Sequence, residues 1–165
     1  MSLELAKKII IQEFQSVKES LDFDEIEFDF MGGEPFLEFE LMKKIMLWTW
    51  EQKWEIPYIF FAQTNGTLLD NEIKDWLCRY SKRLRVGISY DGTPDMQNKN
   101  RSTSSKDVDI DFFVKLYTDQ PIKMTISCDS LTVGGPFMKF VGRYGSTLAL
   151  AYTSMDSGMG FSWEI

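Results

Sequence analysis

Histidine is absent from this 165-residue chain, and cysteine occurs only as Cys78 and Cys128. Ordinary zinc sites draw on several His and Cys ligands, and disulfide frameworks need more than one pair, so neither is expected. The default setting for two separated thiols is a reducing, cytoplasmic compartment. Long apolar runs are missing too: Glu4, Lys7, Lys8 and Glu13 interrupt the N-terminal segment, leaving nothing long enough for export or membrane spanning. Positive charge is scarce. Lys and Arg number 18 against 25 Asp and Glu, giving a net charge of −7 and a pI near 4.7. The average field repels nucleic acid and anionic membranes and favours a cationic or zwitterionic ligand over an anionic one. The one dense basic run, Arg79 to Arg85, lies where a helix should end, and cations there complement the helix dipole.

Aromatic residues, by contrast, are plentiful, with 13 Phe, 6 Tyr and 5 Trp in a chain that is 44% hydrophobic. That composition excludes a disordered chain, and a domain of this size buries roughly 68–70% of its unfolded surface. Leu3, Ala6, Ile10, Phe14, Val17 and Leu21 fall on one face of a helix. Ile26, Phe28 and Phe30 alternate with acids as a strand, after which Leu37, Leu41, Ile45 and Trp48 return to helical spacing. The compact run from Pro57 to Gln63 reads as a buried strand, and Asp70 as the cap of a helix facing inward through Ile73, Leu77 and Tyr80. A strand at 84–90, a helix at 108–117, a strand at 122–127, a helix at 137–143 and a strand at 147–151 follow. Each gap between strands holds one helix, which predicts a parallel sheet with right-handed crossovers in a single α/β domain over 1–165, with 154–165 as an irregular tail. About five βα units are too few for a closed barrel, so the expectation is an incomplete parallel (β/α) barrel whose first strand is missing. Its opening strand would lack one neighbour, an edge across which a dimer could form.

In parallel α/β folds ligands gather at the carboxyl ends of the strands. Here those ends carry Gly32-Gly33-Glu34-Pro35, then Gln63-Thr64-Asn65-Gly66, then Ser89-Tyr90-Asp91-Gly92, then Thr125-Ile126-Ser127. Taken one at a time these are also ordinary turn chemistry, and Asn65 and Asp91 read as turn-shaping residues. Two adjacent glycines nevertheless bare the backbone of the first bend, so a ligand can approach it closely.

As an ordered set, Phe30-Met31-Gly32-Gly33-Glu34-Pro35, Gln63-Thr64-Asn65-Gly66-Thr67-Leu68-Leu69 and Gly87-Ile88-Ser89-Tyr90-Asp91-Gly92, with Arg101 downstream, resemble the strand-end motifs of radical S-adenosylmethionine (radical SAM) enzymes. The branch in question is that of anaerobic sulfatase-maturating and related peptide-modifying enzymes. The likeness runs from about Leu3 to Ser127 and thins beyond. It implies a partial TIM barrel, S-adenosylmethionine as cofactor, and an oxidoreductase acting on a peptide or protein side chain; the acidic charge, separately, argues against nucleic acid or membrane as partner. Gly32, Gly33 and Glu34 would accept hydrogen bonds from the methionyl ammonium, and Ser89 and Arg101 would hold its carboxylate. Thr125 would face the adenosine, and Gln63 the substrate.

The family's [4Fe-4S] cluster hangs on three thiolates spaced C-x3-C-x2-C after the first barrel strand, and this sequence has no such triplet. Cys78, within Trp76-Leu77-Cys78, is expected to pack in its helix, and one further thiolate at Cys128 cannot hold a cluster. No metal ligand and no catalytic base is therefore assigned. The resemblance implies a partial chain whose complete parent carries the cluster and which is inactive alone. The alternative is a cluster-free, degenerate barrel that binds a peptide or partner.

Overall fold

The computed structural model describes residues 1–20, 23–100, 108–126, 135–144, 148–152 and 161–163. Their elements run in the order α1 (Leu3–Ser20), β1 (Ile26–Phe30), a 3-10 turn (Pro35–Glu38), α2 (Phe39–Glu51), β2 (Tyr58–Thr64), α3 (Asn71–Tyr80) and β3 (Leu84–Ser89). Then follow α4 (Pro94–Asn100), α5 (Ile110–Leu116), β4 (Ile122–Ile126), α6 (Gly135–Tyr144), β5 (Leu148–Tyr152) and β6 (Phe161–Trp163). The strands are ordered β1-β2-β3-β4-β5-β6; the pairs β1/β2, β3/β4 and β4/β5 are parallel, and β5/β6 is antiparallel. The expected alternation of strand and helix is therefore present, a parallel partial α/β fold. Two elements were not foreseen. One is β6, inside the stretch read as an irregular tail, and the other is the short helix α4.

The chain divides into two compact units, residues 1–62 with 82–85, and residues 63–81 with 86–165. In the first, α1 buries Ala6, Ile10 and Phe14, the face its spacing predicts, while α2 buries Phe39, Met42, Ile45, Met46 and Thr49. Phe14 stacks on Trp54 at 4.0 Å and meets Tyr58 edge-on at 5.4 Å. Phe60, 1% exposed, is ringed by Phe28 and Phe30 at 5.5 Å, Tyr58 at 6.0 Å and Trp50 at 6.3 Å. Arg83 lies over the Trp50 ring at 4.4 Å, a cation–π contact. The last turn of α2 leaves carbonyls without helical partners, and Thr49 O answers this by accepting from Gln52 N at 3.2 Å, Trp54 Nε1 at 2.9 Å and Tyr58 OH at 3.2 Å. One carbonyl thus ties the helix end to the strand that follows.

In the second unit Asp70 caps α3 as its sequence position predicts, its Oδ1 accepting from Ile73 N at 2.8 Å. Ile73 and Leu77 face inward; Cys78, about a quarter turn further round, is exposed and not packed as expected. Helices α5 and α6 are joined by Asp111, which accepts from Tyr144 OH at 2.6 Å and from Arg143 at 2.5 Å. The Tyr144 hydrogen bond, with Arg143 beside it, holds the Asp111 carboxyl below its usual value. Burial, reinforced by Asp111, pushes the Tyr144 phenol up to about 12. A depressed carboxyl contributes stability above its unfolded pKa and loses that contribution as pH falls through the folded value; a raised phenol contributes below its unfolded pKa and loses it as pH rises toward the folded one. Tyr144→Phe should therefore cost about 1 kcal/mol near neutrality, kept small by the solvent exposure of Asp111. Urea midpoints of the two proteins should converge in acid, below the ordinary aspartate range, and again on the alkaline side between the unfolded tyrosine value and about 12. A gap that stays constant across pH would contradict this.

Candidate functional site

The backbone makes its first sharp departure from regular structure where β1 ends. Met31 N donates back to Asp29 O at 3.1 Å, and Gly32 takes φ +152°, a conformation that side-chain-bearing residues rarely adopt. Gly33 is different, because its φ is ordinary and a Cβ built on it meets nothing within 4 Å. The described packing gives no reason for glycine there, so the bare backbone faces open space. Glu34 is extended and caps the 3-10 turn, its Oε1 accepting from Phe36 N at 3.0 Å with Pro35 in the first position. A cavity of about 260 Å³ opens beside the bend. Gly32, Gly33 and the acidic residues Asp29, Glu34 and Glu38 line it, with Met1, over an apolar floor of Leu41, Met42 and Ile45; three acidic residues face one amino terminus, and the lining contains no lysine or arginine. An acidic rim on bare backbone suits a cationic group and repels phosphate.

The second unit holds the other strand-end residues. Gln63 and Ser89, read independently as site residues, are joined directly by a hydrogen bond from Gln63 Nε2 to Ser89 Oγ at 2.9 Å. Gln63 Oε1 is buried with no partner among the described residues. A buried acceptor left open is costly unless something fills it, so this amide has unused capacity. Asn65 shapes its turn as expected, accepting from Thr67 N at 3.0 Å and Thr67 Oγ1 at 2.8 Å. Gly66, at φ +73°, is required by its turn and by Ile88, whose Cδ1 would lie 2.6 Å from a Cβ.

Asp91 does more than turn the chain. It is 1% exposed, its Oδ1 accepts from Thr125 N at 3.0 Å, and its own N–H donates to Gln97 Oε1 at 2.8 Å. Gln97, fully buried on α4, thus links that helix to the end of β3, and Asp91 links it onward to the end of β4. Thr125 is positioned through its backbone. Sequence reasoning missed α4 and Gln97, although Thr93-Pro94 is a cap-and-proline start signal: Met96 N donates to Thr93 Oγ1 at 3.3 Å. Tyr90, buried against Phe140 at 5.7 Å, has its phenol pushed up by burial. Arg101, Ser127 and Cys128 lie outside the described residues.

The residues present can be weighed against the groups the resemblance implies. The methionyl ammonium and sulfonium of S-adenosylmethionine fit an open glycine bend rimmed by carboxylates. A [4Fe-4S] cluster does not fit: the whole chain has two cysteines, and no group of three metal-ligating side chains occurs among the described residues. No described helix is long and apolar enough to cross a membrane.

No protein-family model matches the chain. Among curated proteins it is similar to Uncharacterized protein MJ0907 of Methanocaldococcus jannaschii, at 31% identity over 85 residues, covering 48% of this chain and 29% of that protein. Among solved structures it superposes on native anSMEcpe with bound AdoMet and Kp18Cys peptide, with a TM-score of 0.61 and 23% identity over 79% of this chain and 38% of that one. It also superposes on native anSMEcpe with bound AdoMet and Cp18Cys peptide, with a TM-score of 0.62 and 21% identity over 86% of this chain and 43% of that one. The chain spans less than half the length of each of these relatives. Its fold is accordingly that of the radical SAM partial barrel, as in the radical SAM anaerobic sulfatase-maturating enzyme anSMEcpe.

Proposed function

We propose that this chain is the S-adenosylmethionine-binding part of a radical SAM enzyme that modifies a peptide or protein side chain in a reducing, cytoplasmic compartment. The carrying observation is the bend at 31–35, where a glycine that the described packing does not demand opens onto an acidic cavity. The bare backbone of Gly32 and Gly33, with Glu34 beside it, accepts hydrogen bonds from the methionyl ammonium. Ser89 and Arg101 hold the methionyl carboxylate, Thr125 faces the adenosine, and the open acceptor of Gln63 faces the substrate. The peptide present in the anSMEcpe structures supports that substrate class by likeness of fold.

S-adenosylmethionine supplies one-electron chemistry only beside an iron-sulfur cluster. The two cysteines of this chain do not ligate one, so on this reading the cluster ligands belong to sequence outside these 165 residues. Alone, the chain binds the cofactor and leaves it intact. A cluster-free barrel that binds a peptide or partner is the second reading, favoured by the same missing thiolates.

Calorimetric titration with S-adenosylmethionine tests the site. Binding should weaken at least about tenfold in Gly33→Val, which fills the approach to the bend, while that variant keeps the parent's far-ultraviolet circular dichroism. Glu34→Gln keeps an acceptor for Phe36 N and should weaken binding by removing charge. Absence of binding, or affinity indifferent to Gly33→Val, would contradict the proposal. An in-frame C-x3-C-x2-C in the DNA upstream of Met1 would eliminate the cluster-free reading, and its absence would eliminate the enzyme.

A further inference from the structure

Tyr117 ends α5 with its ring in the core, 3% exposed, and its phenol oxygen is buried without a hydrogen-bond partner among the described residues. A buried donor left open is costly, and one kept in a packed domain calls for a reason. Reactive chemistry lies beside it, on α3. That helix is tied to α5 by Lys74, whose Nζ donates to Asp109 Oδ2 at 2.7 Å and sits 5.4 Å from the centre of the Phe112 ring. One helical turn on from Lys74 is Cys78, and one turn on from Phe113 is Tyr117, so the same pair of helices sets a thiol beside the phenol. Burial pushes the Tyr117 phenol up, and the charge that Cys78 can carry pushes it the same way. Cys78 itself is free and exposed, yet its sulfur stops short of hydrogen-bonding distance from the phenol.

We propose that Cys78 is a site of reversible oxidation, at which a hydroperoxide converts the thiol to a sulfenic acid whose oxygen accepts the hydrogen bond that Tyr117 has to give. The sulfur attacks the terminal peroxide oxygen: an S–O bond forms, the O–O bond breaks, sulfur gives up two electrons, and the peroxide leaves as alcohol or water carrying the thiol proton. The added oxygen lengthens the side chain by one atom and spans the gap that the sulfur leaves. Exposure admits the oxidant, while the buried phenol holds the product from below and leaves its outer side open to a second thiol. Attack by that thiol breaks the S–O bond, forms an S–S bond and releases water; exchange with one more thiol returns Cys78 reduced and leaves the two external thiols as a disulfide. The reducing compartment proposed above supplies such thiols, so the mark is transient. Neither α3 nor α5 carries a residue of the cofactor reading, and either proposal can fail without the other.

The test uses the 165-residue chain carrying Cys128→Ser, so that one thiol remains. An equivalent of hydrogen peroxide, followed at intervals by dimedone to capture sulfenic acid, should give an adduct on Cys78 in peptide mass spectrometry. In Tyr117→Phe the capturable fraction should decay at least about fivefold faster, while iodoacetamide alkylation of the reduced thiol keeps its rate to within about twofold, which separates a lost holder from altered exposure. The reduced variant should match or exceed the parent in urea midpoint, because it gives up a hydroxyl that bonded nothing. Peroxide should raise the parent's midpoint as Tyr117 gains its acceptor, and that measurement decides alone if the variant does not fold. No adduct on Cys78, equal decay in the two proteins, a reduced variant weaker than the parent, or a parent midpoint that peroxide leaves unmoved or lowers would overturn the proposal.

Discussion

Phe60→Ala should unfold the first unit more readily than any surface change, costing about 4 kcal/mol. Four aromatic rings lie within 6.3 Å of it: Phe28, Phe30, Tyr58 and Trp50. With so many large rings around the void, the site cannot close over it without moving several of them out of their present geometry, which places the loss toward the upper part of the usual range. Phe60→Leu keeps most of the volume and should cost about 1.5 kcal/mol. Denaturant midpoints check both numbers, and near-ultraviolet circular dichroism should show whether the Trp50 environment loosens with them. Equal losses for the two variants would mean that the cluster is not packed as described.

Asp91→Ala should cost about 2 kcal/mol, because it removes a side chain that is 1% exposed and leaves the half-buried Thr125 N–H without its acceptor. Asp91→Asn retains an acceptor and should lose about 1 kcal/mol. Gln97→Ala removes the neighbouring partner of Asp91 N, so its effect should overlap with that of Asp91→Ala and the pair should fall short of additivity. Urea unfolding of the singles and the double decides this; strict additivity would show that the two links are independent. Should the cofactor reading hold, the same substitutions should weaken S-adenosylmethionine binding through the position of Thr125.

Where one side of an element is buried and the other wet, sequence was a good guide. The alternation from Ile26 to Phe30 marked β1, the spacing of Ala6, Ile10 and Phe14 marked α1, and Asp70 marked the start of α3. Helix α4 escaped because its described side chains offer only Met96 as a buried apolar residue, too little to show a period, while its other buried side chain is the polar Gln97. The strand β6, with three residues, is shorter than any pattern that alternation can reveal. Candidate site residues could be picked out as residue types at strand ends, but their hydrogen-bond partners could not. Gln63 and Ser89 stand 26 positions apart, and only tertiary structure puts them 2.9 Å from each other. Asp91 looked like half of a turn dipeptide, and nothing in Asp-Gly discloses that its carboxylate reaches a backbone 34 positions away. The expectation that Cys78 packs inward failed for a geometric reason: the residue after an inward Leu77 is rotated by about 100° on a helix.

The open space around Gly33 has a practical side. A cysteine placed there would displace no described atom, so it could carry a polarity-sensitive dye at the mouth of the acidic cavity, provided Cys78 and Cys128 are first changed to serine. The colour of that dye would then report, in real time and without any turnover, whatever enters the bend.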